Sequence, residues 1–222
     1  MIVAERKQFN EIKDMLSGYG KIFILGCDTC VSVCMAGGKK EVGLLGSQLR
    51  MKFKKDGKQV LIDEDTVERQ CNKEYMEQIL NKLIDYEVVV SMACGAGFQL
   101  LADLCEPLQI LPGVNTRFIG MTPKDGTWVE RCRACGDCVL DETAGICPVA
   151  VCAKGILNGP CGGTDHGKCE VDKEKDCAWT LIYRRLDKMG KLDNIRKEMP
   201  PRSHSLQLNP AKQVHETYKG ED

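Results

Sequence analysis

The feature that most constrains this chain is the run "RCRACGDCVLDETAGICPVAVCAKGILNGPCGGTDHGKCEVDKEKDC", Arg131 to Cys177. It carries eight of the fourteen cysteines. Apolar runs are few there, so the segment cannot build an ordinary core, and a short module of that kind needs a metal or disulfide framework. The N-terminus, "MIVAERKQFNEIKD", lacks the basic start, apolar stretch and small-residue cleavage site of a secretory signal. The longest apolar runs, such as "EVVVSMACGAGF", are far shorter than a membrane span. The expected setting is cytoplasmic, where structural disulfides are rare. Fourteen cysteines in such a chain read as metal ligands.

Spacing narrows the metal. Cys132, Cys135 and Cys138 form C-x2-C-x2-C, the opening of a ferredoxin-type run, which closes on a cysteine followed by proline. Here the next cysteine is Cys147, followed by Pro148, but the eight residues "VLDETAGI" intervene where the bacterial run has three. Cys152, Cys161, Cys169 and Cys177 complete the set. Eight thiolates fill two four-ligand sites, and two iron–sulfur clusters, one cluster plus one zinc, or two zincs all satisfy the count. A tight triplet followed by irregular gaps suits a cubane better than zinc, whose mark is the repeated C-x2-C pair. For Cys152 to Cys177 the spacing does not separate zinc from cluster. His166, between Cys161 and Cys169, reads as a solvated loop histidine rather than a ligand.

The first half alternates. "KIFILG" (Lys21–Gly26), "KQVLID" (Lys58–Asp63) and "EVVVSMA" (Glu87–Ala93) are short apolar runs of buried-strand type. Between them, Met76, Ile79, Leu80, Leu83 and Ile84 fall on one face of a helix. Val42, Leu45 and Leu49 repeat the theme, and an opening helix over Lys7–Ser17 stops at Gly18. Buried strands alternating with amphipathic helices predict a small parallel, Rossmann-like α/β sheet, with every strand's carboxyl end on one edge. Cysteines fall on that edge. Cys27 and Cys30 follow the first strand, Cys71 lies beyond the second, and Cys94 ends the third. Ligand sites in open α/β sheets lie outside the carboxyl ends of the strands. The favoured ligands are Cys27, Cys30, Cys71 and Cys94, with Cys34 as a substitute or supporting thiol. Cys105, on the apolar "FQLLADLC", reads as core. The glycines of "MAGGKKEVG" lack Walker or dinucleotide spacing and read as a turn into a helix.

At "MTPKDGTWVER" the pattern breaks, which sets expected domains at 1–122 (α/β, with a metal cluster at the carboxyl edge) and 123–190 (a cysteine-rich, metal-organised module with little regular structure). After Cys177, "DCAWTLIYRRLDKMGKL" reads as one amphipathic helix with Trp179, Ile182, Tyr183 and Leu186 on one face, either packed over the module or offered to a partner. The remainder, 191–222, is a polar tail without periodicity, expected to dock on a partner or stay disordered. Trp128 reads as a core residue, with a lid over a cluster as the alternative.

Other function classes find little support. The net charge is −1 and the sequence pI about 6.3, which points to no nucleic acid and no membrane insertion. There is no Gly-x-Ser-x-Gly elbow, His-Glu-x-x-His or Walker loop, and the three histidines, His166, His204 and His215, lie in polar sequence. Thiolate chemistry is the one specific signal, and its natural work is electron transfer.

Four stretches carry a resemblance: "GCDTCVSVCMAGGKKEVGLL", "ACGAGFQLLAD", "ERCRACGDCVLDETAGICPVAVCAKGILNGPCGG" and "GKCEVDKEKDCAWTLIYRRL". They resemble the methylenetetrahydrofolate reductase C-terminal domain family, whose stand-alone members are MetV-type small subunits, over Lys21 to about Leu192. The resemblance implies a subunit beside a flavin-containing (β/α)8-barrel reductase in acetogens and other anaerobes. In that one-carbon (acetyl-CoA) pathway the pair reduces methylenetetrahydrofolate. It implies that this chain holds no folate chemistry of its own. Its metal sites, two to three 4Fe-4S clusters with zinc an option at one site, would pass electrons from ferredoxin or another donor to the partner's flavin. The cysteines carried over are Cys27, Cys30, Cys34, Cys71, Cys94 and all eight from Cys132 to Cys177. The family is also described as zinc-binding, which leaves a structural or regulatory zinc subunit as the alternative.

Overall fold

The computed structural model describes residues 1–207 and 209–219. The chain divides into two compact units, Met1–Val129 and Glu130–Asp222. Leu208 and the last three residues of the polar tail lie outside the described residues.

The first unit is a mixed α/β fold. Its elements run β1 (Ile2–Arg6), α1 (Phe9–Met15), β2 (Lys21–Cys27), α2 (Cys30–Val33), α3 (Lys39–Lys55), β3 (Leu61–Val67), α4 (Lys73–Leu83), β4 (Val88–Ser91), α5 (Gly95–Leu104), β5 (Gln109–Pro112), β6 (Val114–Lys124) and β7 (Thr127–Cys132). A four-stranded parallel sheet has the order β3-β2-β4-β5. Every residue of β4, and all of β2 after Lys21, is buried. Alternation along β2 assigns its side chains to two cores. Ile22 and Ile24 pack with Leu45, Leu49 and Val90, while Phe23 and Leu25 pack with Met76, Leu83 and Leu101. Helices therefore cover both faces, as an all-parallel sheet requires.

The helical periodicities hold in part. Val42, Leu45 and Leu49 are buried on α3, and Met76, Ile79 and Leu83 on α4, where the Asn72 side chain caps the Glu74 N–H. Ile84 is the exception. It falls just past the last turn of α4 and is 74% exposed. The strand expected at Lys58–Asp63 begins at Leu61 and runs to Val67. As an edge strand it keeps one side wet, so it carries acids that the apolar pattern passes over. Asp63 accepts a 2.6 Å hydrogen bond from the Tyr86 hydroxyl, Glu64 pairs with Arg50, and Asp65 pairs with Lys82.

A three-stranded sheet of order β1-β6-β7 was not foreseen. Its β1 strand pairs antiparallel with β6. The segment read as a break, "MTPKDGTWVER", is the β6–β7 hairpin, turning at Asp125-Gly126 with Gly126 at φ 72°. Asp-Gly between two strands is a hairpin signal in its own right.

The second unit has α6 (Pro148–Val151), β8 (Thr164–Asp165), β9 (Lys168–Cys169), α7 (Ala178–Lys188) and α8 (Asp193–Arg196). Its core is small: Cys177, Trp179, Ile182 and Leu186, flanked by Ile146, Cys152 and Ile195. The helix after Cys177 thus packs over the cysteine-rich segment, although Tyr183 is half exposed rather than on the buried face. The Trp179 indole donates to the Ile156 carbonyl at 2.9 Å and lies over Gly159, where a Cβ would meet the ring at 2.4 Å. The start of the polar tail is held down. Asn158 and Met199 exchange two hydrogen bonds, Lys197 pairs with Glu142, and Arg202 faces Asp137 at 3.8 Å. Single polar anchors of this kind leave no periodicity to read.

A Cβ on Gly37 would lie 1.8 Å from the Met92 carbonyl oxygen, so Gly37→Ala should destabilise the fold by about 1–3 kcal/mol in urea titration. The hydrogen bond to Asp63, with burial, pushes the Tyr86 phenol up to about 12. Tyr86 therefore stabilises the fold fully below its unfolded value near 10. That contribution should fade as pH rises through about 12, and alkaline unfolding curves of Tyr86→Phe should lack this component.

Candidate metal centres

Every cysteine in the chain is a free thiol. In the first unit the chain crosses from β2 to β3 on one side and returns to place β4 on the other, which makes the β2/β4 carboxyl edge a topological switch point. Cys27 is the last residue of β2, Cys94 precedes α5, and Cys71 lies between β3 and α4. Burial raises the Cys71 thiol above its ordinary value, and the neighbouring thiols of Cys94 and Cys27 raise it further. Three strand ends thus carry a thiol each to the same edge of the sheet.

The other two thiols of this edge behave differently. Cys34 is buried, and its sulfur is committed to backbone. It accepts the Ala4 N–H at 3.4 Å and lies 3.4 Å from the Ala4 carbonyl and 3.5 Å from that of Val31. The β1–β6 register slips between Val3 and Ala4, and such a slip leaves backbone groups free for other partners. Burial first, against weaker hydrogen-bond effects, raises the Cys34 thiol, with Cys30 adding to the rise. Cys30 itself opens α2 and is half-buried. Cys105 packs against the Leu101 core, and burial alone raises its thiol.

In the second unit Cys152, Cys161, Cys169 and Cys177 line one cavity of about 20 Å³. Local structure explains how. His166 (φ 48°) and Gly167 (φ 86°) form the two-residue turn between β8 and β9, which carries Cys169. The Gly167 carbonyl accepts the Cys177 N–H at 2.8 Å, tying the ribbon to the start of α7. The His166 ring is 96% exposed and bonds Asp165, so it stays a solvated loop residue. Lys154 pairs with Glu170 and lies 4.0 Å from the Cys161 sulfur. Its ammonium is raised by that hydrogen bond and by the nearby thiols of Cys161 and Cys169. Burial works to raise the Cys177 thiol, but hydrogen bonds from Thr180, Thr164 and the Trp179 backbone outweigh it and hold the thiol below its ordinary value.

The triplet is more open. Cys132 and Cys138 are exposed, and Cys135 and Cys147 are half-buried. Ala134 (φ 50°) and Gly136 (φ 79°) both take left-handed conformations within the triplet loop. Among the described residues, no three His, Cys, Asp or Glu side chains stand close enough together to hold a metal ion. Among the described residues, no helix is long and apolar enough to cross a membrane. Sequence reasoning missed Gln70, which is fully buried and hydrogen-bonded to the ends of two strands. Its only sequence signal is its position beside Cys71. Replacing Thr180 with valine removes one of the hydrogen bonds that lower the Cys177 thiol. Iodoacetamide should then label Cys177 of the metal-free chain several-fold more slowly at neutral pH, read by peptide mass spectrometry.

Residues 111–205 match the family model described as methylene-tetrahydrofolate reductase C terminal. No curated protein and no solved structure matches the chain significantly. The matched span begins in β5 and takes in every cysteine from Cys132 to Cys177 together with α7 and α8. Over that segment, somewhat under half of its length, the chain is similar to the methylene-tetrahydrofolate reductase C-terminal family.

Proposed function

We propose that this chain is the iron–sulfur electron-transfer subunit of a methylenetetrahydrofolate reductase complex. In this reading it passes electrons from ferredoxin or another carrier to the flavin of a (β/α)8-barrel partner, and the folate chemistry stays with that partner. One observation carries the proposal: three separate strand ends deliver Cys27, Cys71 and Cys94 to the carboxyl edge of a parallel sheet at its switch point, while four cysteines of the family segment line one cavity.

The residues fit metal in the chemistry of their donors. Thiolates are the ligands of iron–sulfur clusters and of structural zinc. Cys27, Cys30, Cys71 and Cys94 would hold a cluster at the sheet edge, with Cys34 behind them as a neutral thiol binding β1 to the cysteine loop. Cys132, Cys135, Cys138 and Cys147 would hold a second. A bound cluster supplies one-electron transfer at a potential set by ligands, hydrogen bonds and solvent exposure. The chain's own part is to position and to exclude water. Cys27 is buried beside Val31, Ala36, Met92 and Ala93, and the Thr116 hydroxyl accepts the Gly95 N–H, pinning the loop that carries Cys94.

A second reading applies to Cys152, Cys161, Cys169 and Cys177. They line one small cavity, and four thiolates round one ion would make a structural zinc site. That would make the second unit a zinc-folded platform for the reductase subunit.

Iron, sulfide and zinc analysis of protein purified without oxygen separates these readings. About four irons and four sulfides per cluster, with a visible band that bleaches on reduction, is the expected result. About one zinc per chain beside the iron would assign zinc to the later four cysteines. A colourless, redox-silent zinc protein would overturn the electron-transfer proposal.

A further inference from the structure

Gln70 lies in the loop between β3 and α4 and immediately precedes Cys71. Its side chain is completely buried and uses all its main bonding capacity on two other strands. The amide nitrogen donates to the carbonyls of Leu25 and Gly26 at 2.9 and 3.0 Å, the two residues before Cys27. The amide oxygen accepts the Ser91 hydroxyl at 2.7 Å. Ser91, also fully buried, accepts the Ala93 N–H at 3.4 Å, and Ala93 precedes Cys94. One side chain therefore links the strand ends leading to Cys27 and Cys94 with the loop bearing Cys71.

Close packing reinforces the link. A Cβ on Gly97, in the first turn of α5, would lie 2.9 Å from the Gln70 and Ala93 Cβ atoms and 3.4 Å from the Cys71 nitrogen. Glycine there lets the Gln70–Cys71 loop lie directly against the helix that follows Cys94. A polar residue buried for its bulk alone would leave a donor or acceptor open, and such groups are costly when unpaired. Gln70 leaves neither open, and each bond ends within three residues of a cysteine.

We propose that Gln70 is the positioning residue of the sheet-edge thiol site: its three hydrogen bonds set the mutual placement of Cys27, Cys71 and Cys94. This rests on reading those thiols as a metal-binding set. The amide suits the task because it donates twice and accepts once from one rigid plane, a combination that leucine, glutamate or serine at this position cannot reproduce. Preorganised ligands of this kind depend on the hydrogen bonds behind them.

The test uses the full chain, metal-free and reduced, with phenylarsine oxide as the proximity probe. The reagent joins two neighbouring thiols through arsenic with release of water, and peptide mass spectrometry locates each bridge. In the unsubstituted chain, bridges joining Cys71 to Cys94 or Cys27 are expected. Gln70→Leu should lower their yield about tenfold, while bridges among Cys152, Cys161, Cys169 and Cys177 stay unchanged as an internal control. Ser91→Ala removes only one of the three bonds, so it should lower the yield about two- to threefold without altering the circular dichroism. It decides the matter if Gln70→Leu does not fold. Gly97→Ala should lower the yield through steric displacement alone.

Unchanged bridging in Gln70→Leu, or in Ser91→Ala where Gln70→Leu is unfolded, would overturn the proposal. So would an absence of these bridges from the unsubstituted chain, or an equal fall at the control cysteines. Iron analysis of the unsubstituted chain separates the two ideas. Bridging that depends on Gln70 in a chain that takes up no iron would sink the metal reading and leave the positioning role intact. Iron uptake with bridging indifferent to Gln70 would do the reverse.

Discussion

The first unit depends on burying two parallel strands on both faces. With no polar side of their own, β2 and β4 need helices above and below. Parallel strands with helical crossovers send each carboxyl end to the same edge. Cys27, Cys71 and Cys94 fall on one edge for that reason, although 67 positions separate the first from the last. The apolar core and the thiol site are thus two ends of one construction. Ile24 and Leu25 belong to opposite cores, and Cys27 follows them on the same strand.

Polar bookkeeping sorts the thiols of this unit. Cys34 has backbone partners for its sulfur and is pushed up by burial, which suits a neutral thiol holding β1 against α2. Cys105 is pushed up by burial with no compensating contact and packs as a small hydrophobe. Cys71, between β3 and α4, is raised first by burial, with the thiols of Cys94 and Cys27 adding to the rise.

The second unit solves the core problem differently. Three large apolar side chains, Trp179, Ile182 and Leu186, are its buried anchors, and two cysteines belong to the same cluster. A tight ribbon turn at His166-Gly167 and the Cys177 N–H bond to Gly167 do the positioning that strand burial does in the first unit. Hydrogen bonds around Cys177 favour its thiolate, the form that binds metal. The family match covers this unit through Ser205, whereas the case for the sheet-edge thiols in residues 1–110 stands on their own geometry.

Much of this was readable from the residues alone. Apolar runs marked β2 and β4, helical spacing marked α3 and α4, and the cysteine positions relative to strand ends marked the sheet edge. The helix over Trp179, Ile182 and Leu186 was equally plain, because burial of one face repeats every three to four residues. What the sequence left open depended on partners distant along the chain. The acids of β3 belong to an edge strand, and only its place in the sheet gives them solvent and ion pairs. The β1-β6-β7 sheet joins the first residues to positions more than a hundred away, with no local pattern to announce it. Tyr183 and Ile84 match an apolar periodicity yet face outward, since the neighbours that would cover them are absent from those positions. Gln70 is the sharpest case. Beside Cys71 it reads as an ordinary polar loop residue, and only folding brings the Leu25 and Gly26 carbonyls and the Ser91 hydroxyl within reach of its amide. Local composition determined where the thiols lie along the chain. Tertiary structure decided which of them share a sheet edge or a cavity, because hydrogen bonds between strand ends exist only once the sheet has formed.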